Sequence, residues 1–171
     1  MASTWLASAI LLLFPAGMAM AASMDLLTMT IPNRLCLALA VAFFPAALLF
    51  HMPLPEIGFN ATCGFGVLCI TFALFSLGWI GGGDAKLAAA TALWLGWGAM
   101  LDYGLSSAMF GGALTLLLLG ARRLALPAWA RSPWVMRLHD PKTGVPYGIA
   151  LAAAGLMVYG QTPFWRAVAS I

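Results

Sequence analysis

The stretch IGFNATCGFGVLCITFALFSLGWIGGGD, residues 57–84, runs from Ile57 to Ile80 without a charge and then meets three glycines and an aspartate. A helix needs about 20 mostly apolar residues to cross the hydrocarbon of a bilayer, so the spacing predicts a transmembrane helix ending at a polar motif. The rest of the chain repeats the pattern. Uncharged runs span Thr4 to Met24, about Leu35 to His51, about Gly83 to Leu101, about Tyr103 to Ala121 and about Val145 to Trp165, which makes six candidate spans. Hydrophobic residues are 63% of the 171 and charged ones 8%, a composition outside the range of soluble domains. Backbone amides cannot stay unsatisfied in lipid, and the runs lack the alternation of barrel strands, so helices are expected. The predicted fold is one all-α polytopic domain over residues 1–171, a bundle of about six transmembrane helices.

The second and fourth runs are short between their flanking charges. Each is therefore predicted to extend toward its polar motif, which puts Asp84 in the first turn of a helix or just before it. The first run ends in small residues, AMAAS, as a signal peptide does. No basic residue precedes it and it exceeds the usual apolar core of such a peptide, so it reads as a retained helix. Cys36, Cys63 and Cys69 form no CxxC pair and read as small buried hydrophobes.

Basic residues fall unevenly between the two sides of this bundle. Arg34, Lys86, Arg122, Arg123, Arg131, Arg137 and Lys142 share one side, and the other holds only Arg166. By the positive-inside rule the first side is cytoplasmic and both termini face away from it. This cluster accounts for the net charge of +3, and no nucleic-acid partner is implied. The basic loop at about 122–144 is expected to lie at the lipid headgroups as a topology anchor.

Topology also sorts the five acidic residues. Glu56 and Asp102 fall on the non-cytoplasmic face. Asp25 closes the first helix and Asp84 opens the fourth, so both reach the cytoplasmic end and are candidates for neighbours. The macrodipole favours an aspartate at a helix start and disfavours one at a helix end, so capping accounts for Asp84 alone. Ionisable groups at membrane depth point to function, and two carboxyls sharing a site have a defined chemistry. They hold one proton between them, so that one deprotonates water while the other polarises a carbonyl, and they titrate as a unit.

The surroundings fit such a site. Gly81, Gly82 and Gly83 remove bulk before Asp84, letting a substrate backbone approach and the chain take positive φ. Lys86 is expected to meet headgroups or cytosol rather than the carboxylate, and Gly78 with Gly82 forms a GxxxG packing signal. Pro32 suits a first helical turn, and Asn33 there can satisfy loose backbone donors. Tyr147 and Gly148 read as a helix start behind Pro146 with an interfacial tyrosine; lining a substrate path is the alternative. His139 and Asp140 have no third ligand on their side, so no metal site is expected.

Asp25 followed after five residues by Ile31-Pro32-Asn33, and later Gly81-Gly82-Gly83-Asp84-Ala85-Lys86-Leu87 matching GxGDxKL, resemble the bacterial prepilin peptidases of the GxGD intramembrane aspartyl protease class. The late segment GVPYGIALAAAG, residues 144–155, resembles the last helix of the short members serving Tad/Flp-type pili. The resemblance implies that Asp25 and Asp84 are the catalytic pair, with Gly81, Gly82, Gly83, Lys86, Pro32 and Asn33 shaping the site. It implies a multi-pass protein of the bacterial cytoplasmic membrane that removes the basic leader of a prepilin or pseudopilin at the cytoplasmic face, with no metal or organic cofactor. Longer relatives carry an N-terminal domain with paired cysteines and methylate the new pilin terminus; this chain begins directly with its first apolar run, so leader removal without methyl transfer is expected. Many relatives have basic residues where this chain has LLTMT after Asp25, which implies a different hold on the leader. Two other classes remain: a small ion or proton transporter using the two carboxylates, and a noncatalytic pilus-assembly membrane protein.

Overall fold

Helices account for every apolar run in the computed structural model, which describes residues 2–127, 132–162 and 164–166. Arg131 of the basic loop lies outside the described residues. The order is α1 (Ala2–Thr28), α2 (Asn33–Leu49), α3 (Leu54–Ser76), α4 (Gly82–Leu95), a 3-10 turn (Trp97–Ala99), α5 (Met100–Ala121), the short α6 (Pro133–His139) and α7 (Gly148–Tyr159). Among the described residues three segments are long and apolar enough to cross a membrane: Ala9–Thr28, Leu54–Ser76 and Trp97–Ala121. Helices α2 and α7 are apolar but shorter. The chain is an all-helical integral membrane protein.

The fourth run departs most from expectation. It was predicted to reach Leu101, but α4 ends at Leu95 after 14 residues, about 21 Å of helix against a hydrocarbon core of about 30 Å. The stop is Gly96, whose φ of 70° is left-handed. Buried Asn60 of α3 donates from Nδ2 to the Leu93 carbonyl at 3.2 Å, and a methyl on Gly96 would stand 2.5 Å from Asn60 Oδ1. Gly96→Ala combines a disfavoured φ with that clash and is expected to destabilise the fold by more than ~1 kcal/mol. In detergent this would appear as a melting temperature lowered by at least about 2 °C.

Helix α4 is also the most enclosed, with Leu87 through Leu95 all buried. Lipid supplies no hydrophobic drive for helices to associate, so close packing through small residues does the work. The Ala88-Ala89-Ala90-Thr91-Ala92 stretch lets α2, α3 and α7 pack around α4. Beyond it lies an aromatic cluster. Trp94 donates from Nε1 to the Leu39 carbonyl at 2.9 Å, and the Phe14 and Tyr159 rings sit 4.7 Å apart. On α1 the buried residues Phe14, Met18, Ala21 and Asp25 recur at helical spacing on one face. That face carries Asp25 into the bundle.

The cysteines divide. Cys36 and Cys63 are buried, but Cys69 is exposed on α3. The Gly78–Gly82 pair is not a packing face, because Gly78 has a φ of 74° in the turn after α3.

Candidate active site

Asp25 lies in the last turn of α1. The helix continues to Thr28, and the Met29 amide bonds to the Asp25 carbonyl at 2.9 Å. Met29 then turns the chain with a φ of 55°, a left-handed close of the kind that ends many helices. Apolar Leu26 and Leu27 after the aspartate let the helix run on. Ile31 is buried, and Pro32 with φ −62° and ψ 134° precedes the first residue of α2.

Asp84 is the third residue of α4, in the first turn as expected. Its Oδ2 would lie 2.9 Å from a methyl on Gly81. The three glycines serve close approach and not unusual backbone: Gly81 has φ −72° and ψ 144°, and the positive-φ glycines are Gly78 and Gly96. A methyl on Gly82 would stand 3.2 Å from the Phe75 ring, and one on Gly83 would stand 3.2 Å from Ile31 Cβ. Side chains here would push α4 away from the α1–α2 turn.

The result is one cavity of about 230 Å³, lined by Asp25, by Met29 to Ile31 and by Gly81 to Asp84. The two carboxylates are 59 positions apart in the chain and face the same space. Asp25 is buried and Asp84 half-buried. Among the described residues no basic one lines this cavity.

A third element completes it. The Gly148 amide, at the start of α7, donates to Asp25 Oδ2 at 2.7 Å. A methyl on Gly148 would stand 2.8 Å from that oxygen and 2.7 Å from Ile31 Cδ1, so only glycine lets the amide reach the carboxylate. Tyr147 beside it lies on Gly111 of α5 and donates to the Ser107 carbonyl at 3.1 Å. Tyr147 and Gly148 do open α7 behind Pro146 as expected, and the expected alternative, a place on the path to the site, is the one that the Gly148 bond to Asp25 favours. The signal that could have found them is a glycine placed directly after Pro-Tyr at the opening of an apolar helix.

Lys86 is exposed and does not line the carboxylate cavity, in line with expectation, but it has a partner that was not foreseen. Its Nζ donates to Asn33 Oδ1 at 2.8 Å, tying α4 to α2 beside the carboxylate cavity. Pro32, the residue that precedes α2, has no side chain to cap it. A hydrogen bond to a charged group contributes about 1.5–3 kcal/mol at most, and exposure here lowers that. Lys86→Met is expected to lower the melting temperature by about 2–4 °C, and Asn33→Ala to do the same without adding to it, which a double-mutant thermal melt measures.

The basic loop does more than meet headgroups. Arg122 donates to the carbonyls of Leu138, Thr143 and Gly144, and Arg137 to that of Leu27 at 3.4 Å. These bonds fasten the described part of the loop to the bundle and deliver the chain into Tyr147 and Gly148. His139 and Asp140 stand on this loop, away from the carboxylate cavity.

Fold and site together define a helical membrane protein with two carboxylates in a glycine-walled cavity. The model of the type IV leader peptidase family matches residues 12–118, a span that holds both Asp25 and Asp84. The chain belongs to that family, and so is a protease of the prepilin leader class. Searches of curated proteins and of solved structures return no match. Helix α7, which bonds Asp25, lies beyond the matched span.

Proposed function

We propose that this protein is an aspartic endopeptidase that removes the leader of Tad/Flp-type prepilins, with Asp25 and Asp84 as the catalytic pair. The observation that carries the reading is the shared cavity of about 230 Å³, which brings both carboxylates together. One carboxylate takes a proton from water while the other, protonated, donates to the carbonyl oxygen of the scissile bond. The tetrahedral adduct then collapses, the amine leaves with a proton from the pair, and the pair recovers its single shared proton. The roles belong to the dyad as a unit. The Gly148 amide on Asp25 Oδ2 fixes the orientation of that carboxylate within the pair.

On this reading the cavity opens to the cytoplasm, because the basic residues gather at the same end of the bundle. The substrate's apolar helix packs against the enzyme while its basic leader meets the cytoplasmic surface. An apolar cavity of about 390 Å³ between α2, α3 and α4 supports this, since its lining includes Lys86, two residues after Asp84, and Asn33, two after Ile31 of the carboxylate cavity. Pro32, Asn33, Lys86 and Gly81 to Gly83 shape the site and do not react. Co-expression with a prepilin from the same genome tests the proposal: a gel shift equal to the leader is expected, and an unprocessed prepilin beside abundant membrane-inserted enzyme would contradict it.

A transporter needs ionisable groups to continue a path through the bilayer. The described parts of α3, α5 and α7 have such groups only at the end opposite the aspartates, Glu56 and Asp102.

A further inference from the structure

Helices α3 and α7 both pack on α4, and α4 stops at Leu95. The early stop leaves a cavity of about 310 Å³ at the end of the bundle opposite the aspartates. Its size is at the lower end of the volumes that hold small molecules, about 300–1,000 Å³.

The walls of this cavity differ in character. On α3, Glu56 and Asn60 line it from positions four residues apart, which share a helix face. Asn60 donates from Nδ2 to the Leu93 carbonyl, which leaves its Oδ1 to accept. The segment after α7 contributes Gln161 and Arg166, whose side chains donate. The Glu56 carboxylate and the Arg166 guanidinium therefore line one space, yet they form no ion pair among the described residues. Charged groups at membrane level ordinarily pair with one another. Glu56 stands in the first turn of α3, where the macrodipole favours an acid; that accounts for Glu56 alone and not for a guanidinium lining the same cavity.

Acceptors on one wall and donors on another match a ligand that carries a cation and an anion a few bonds apart. The apolar part of the lining says where such a zwitterion comes from. Phe59 and Trp97 also line the cavity and are 58% and 42% exposed. Tryptophan is at home at the headgroup level of a bilayer, and a lipid whose head enters the cavity lays its chains against these rings. We propose that the cavity binds the headgroup of a zwitterionic aminophospholipid, its ammonium on Glu56 and Asn60 and its phosphate on Arg166 and Gln161. The bound head bridges α3 to the segment after α7 at the level where α4 no longer lies between them. The site does not depend on the peptidase reading.

Native mass spectrometry of the full chain tests this, with titrations of phosphatidylethanolamine, of phosphatidylglycerol with the same acyl chains, and of glycerophosphoethanolamine, which is the head without the chains. Phosphatidylethanolamine is expected to bind about tenfold more tightly than phosphatidylglycerol, the difference expected for one charge-assisted contact. Glu56→Gln is expected to weaken phosphatidylethanolamine about tenfold and leave phosphatidylglycerol unchanged, whereas Arg166→Gln is expected to weaken both. Asp102→Asn removes an acid at the same end of the bundle that does not line the cavity, and is expected to change neither. Equal affinity for the two lipids in the unsubstituted protein would overturn the proposal. So would normal phosphatidylethanolamine binding by Glu56→Gln and Arg166→Gln proteins that keep the helical circular dichroism of the parent. Glycerophosphoethanolamine bound as tightly as the lipid would overturn the membrane as the source of the ligand.

Discussion

Asp25→Asn and Asp84→Asn are each expected to cut leader removal by at least about 10³-fold while the protein still accumulates in the membrane. Asparagine keeps the shape of aspartate, so the close approach of residue 84 to Gly81 and of residue 25 to Gly148 should survive. In the Asp25→Asn variant the side-chain carbonyl oxygen would still accept the Gly148 amide bond that Asp25 Oδ2 accepts at 2.7 Å. What the amide cannot do is accept a proton from water or share one with the remaining carboxylate. Loss of cleavage with retained fold therefore isolates the chemistry. The measurement is the prepilin gel shift alongside immunodetection of the enzyme in membranes. Full cleavage by either variant would reduce that aspartate to a cap or anchor.

The next largest effect is expected from Gly148→Ala, a single methyl added outside the matched family span. In a helix, alanine is favoured over glycine by about 1 kcal/mol, so propensity alone predicts a more stable α7. The cavity predicts the opposite for activity, because the methyl would stand 2.8 Å from Asp25 Oδ2 and 2.7 Å from Ile31 Cδ1. Something must shift, and displacing a reacting group by about 1 Å costs on the order of 10²-fold. The expected signature is a loss of about 10²-fold in kcat with little change in melting temperature. Ala150→Gly, in the same helix, is the control: it weakens helix propensity without touching the carboxylate. A Gly148→Ala enzyme with normal kcat would remove α7 from the account of Asp25.

Much of this site was legible because charge is rare in the chain. With so few acids in so apolar a sequence, the two at one end of the bundle stood out, and the helix alternation alone put Asp25 and Asp84 at the same level. The glycines before Asp84 were legible as a place of close approach, although their backbone proved ordinary. What was hidden has a common cause. In lipid the outside of a helix is as apolar as its inside, so hydrophobic periodicity does not say which face meets which neighbour. That concealed α4 as the central helix and Ile31 as the residue wedged between Gly83 and Gly148. The end of α4 was hidden because no charge marks it; only Gly96, with Asn60 36 residues upstream, makes the break. The Gly148–Asp25 bond joins residues 123 positions apart, and no local pattern encodes such a contact. The partner of Lys86 was hidden for a related reason, since Asn33 sits on another helix 53 positions away.

The central claim is that Asp25 and Asp84 act as one unit, and the most direct test compares the Asp25→Asn, Asp84→Asn double variant with each single one. Purified enzymes in liposomes would be assayed against one prepilin, with the leader quantified by mass spectrometry. A shared-proton dyad gives a double variant no slower than either single variant, because the first substitution already removes the mechanism. Two moderate losses that multiply in the double variant would show two independent contributions and contradict the dyad.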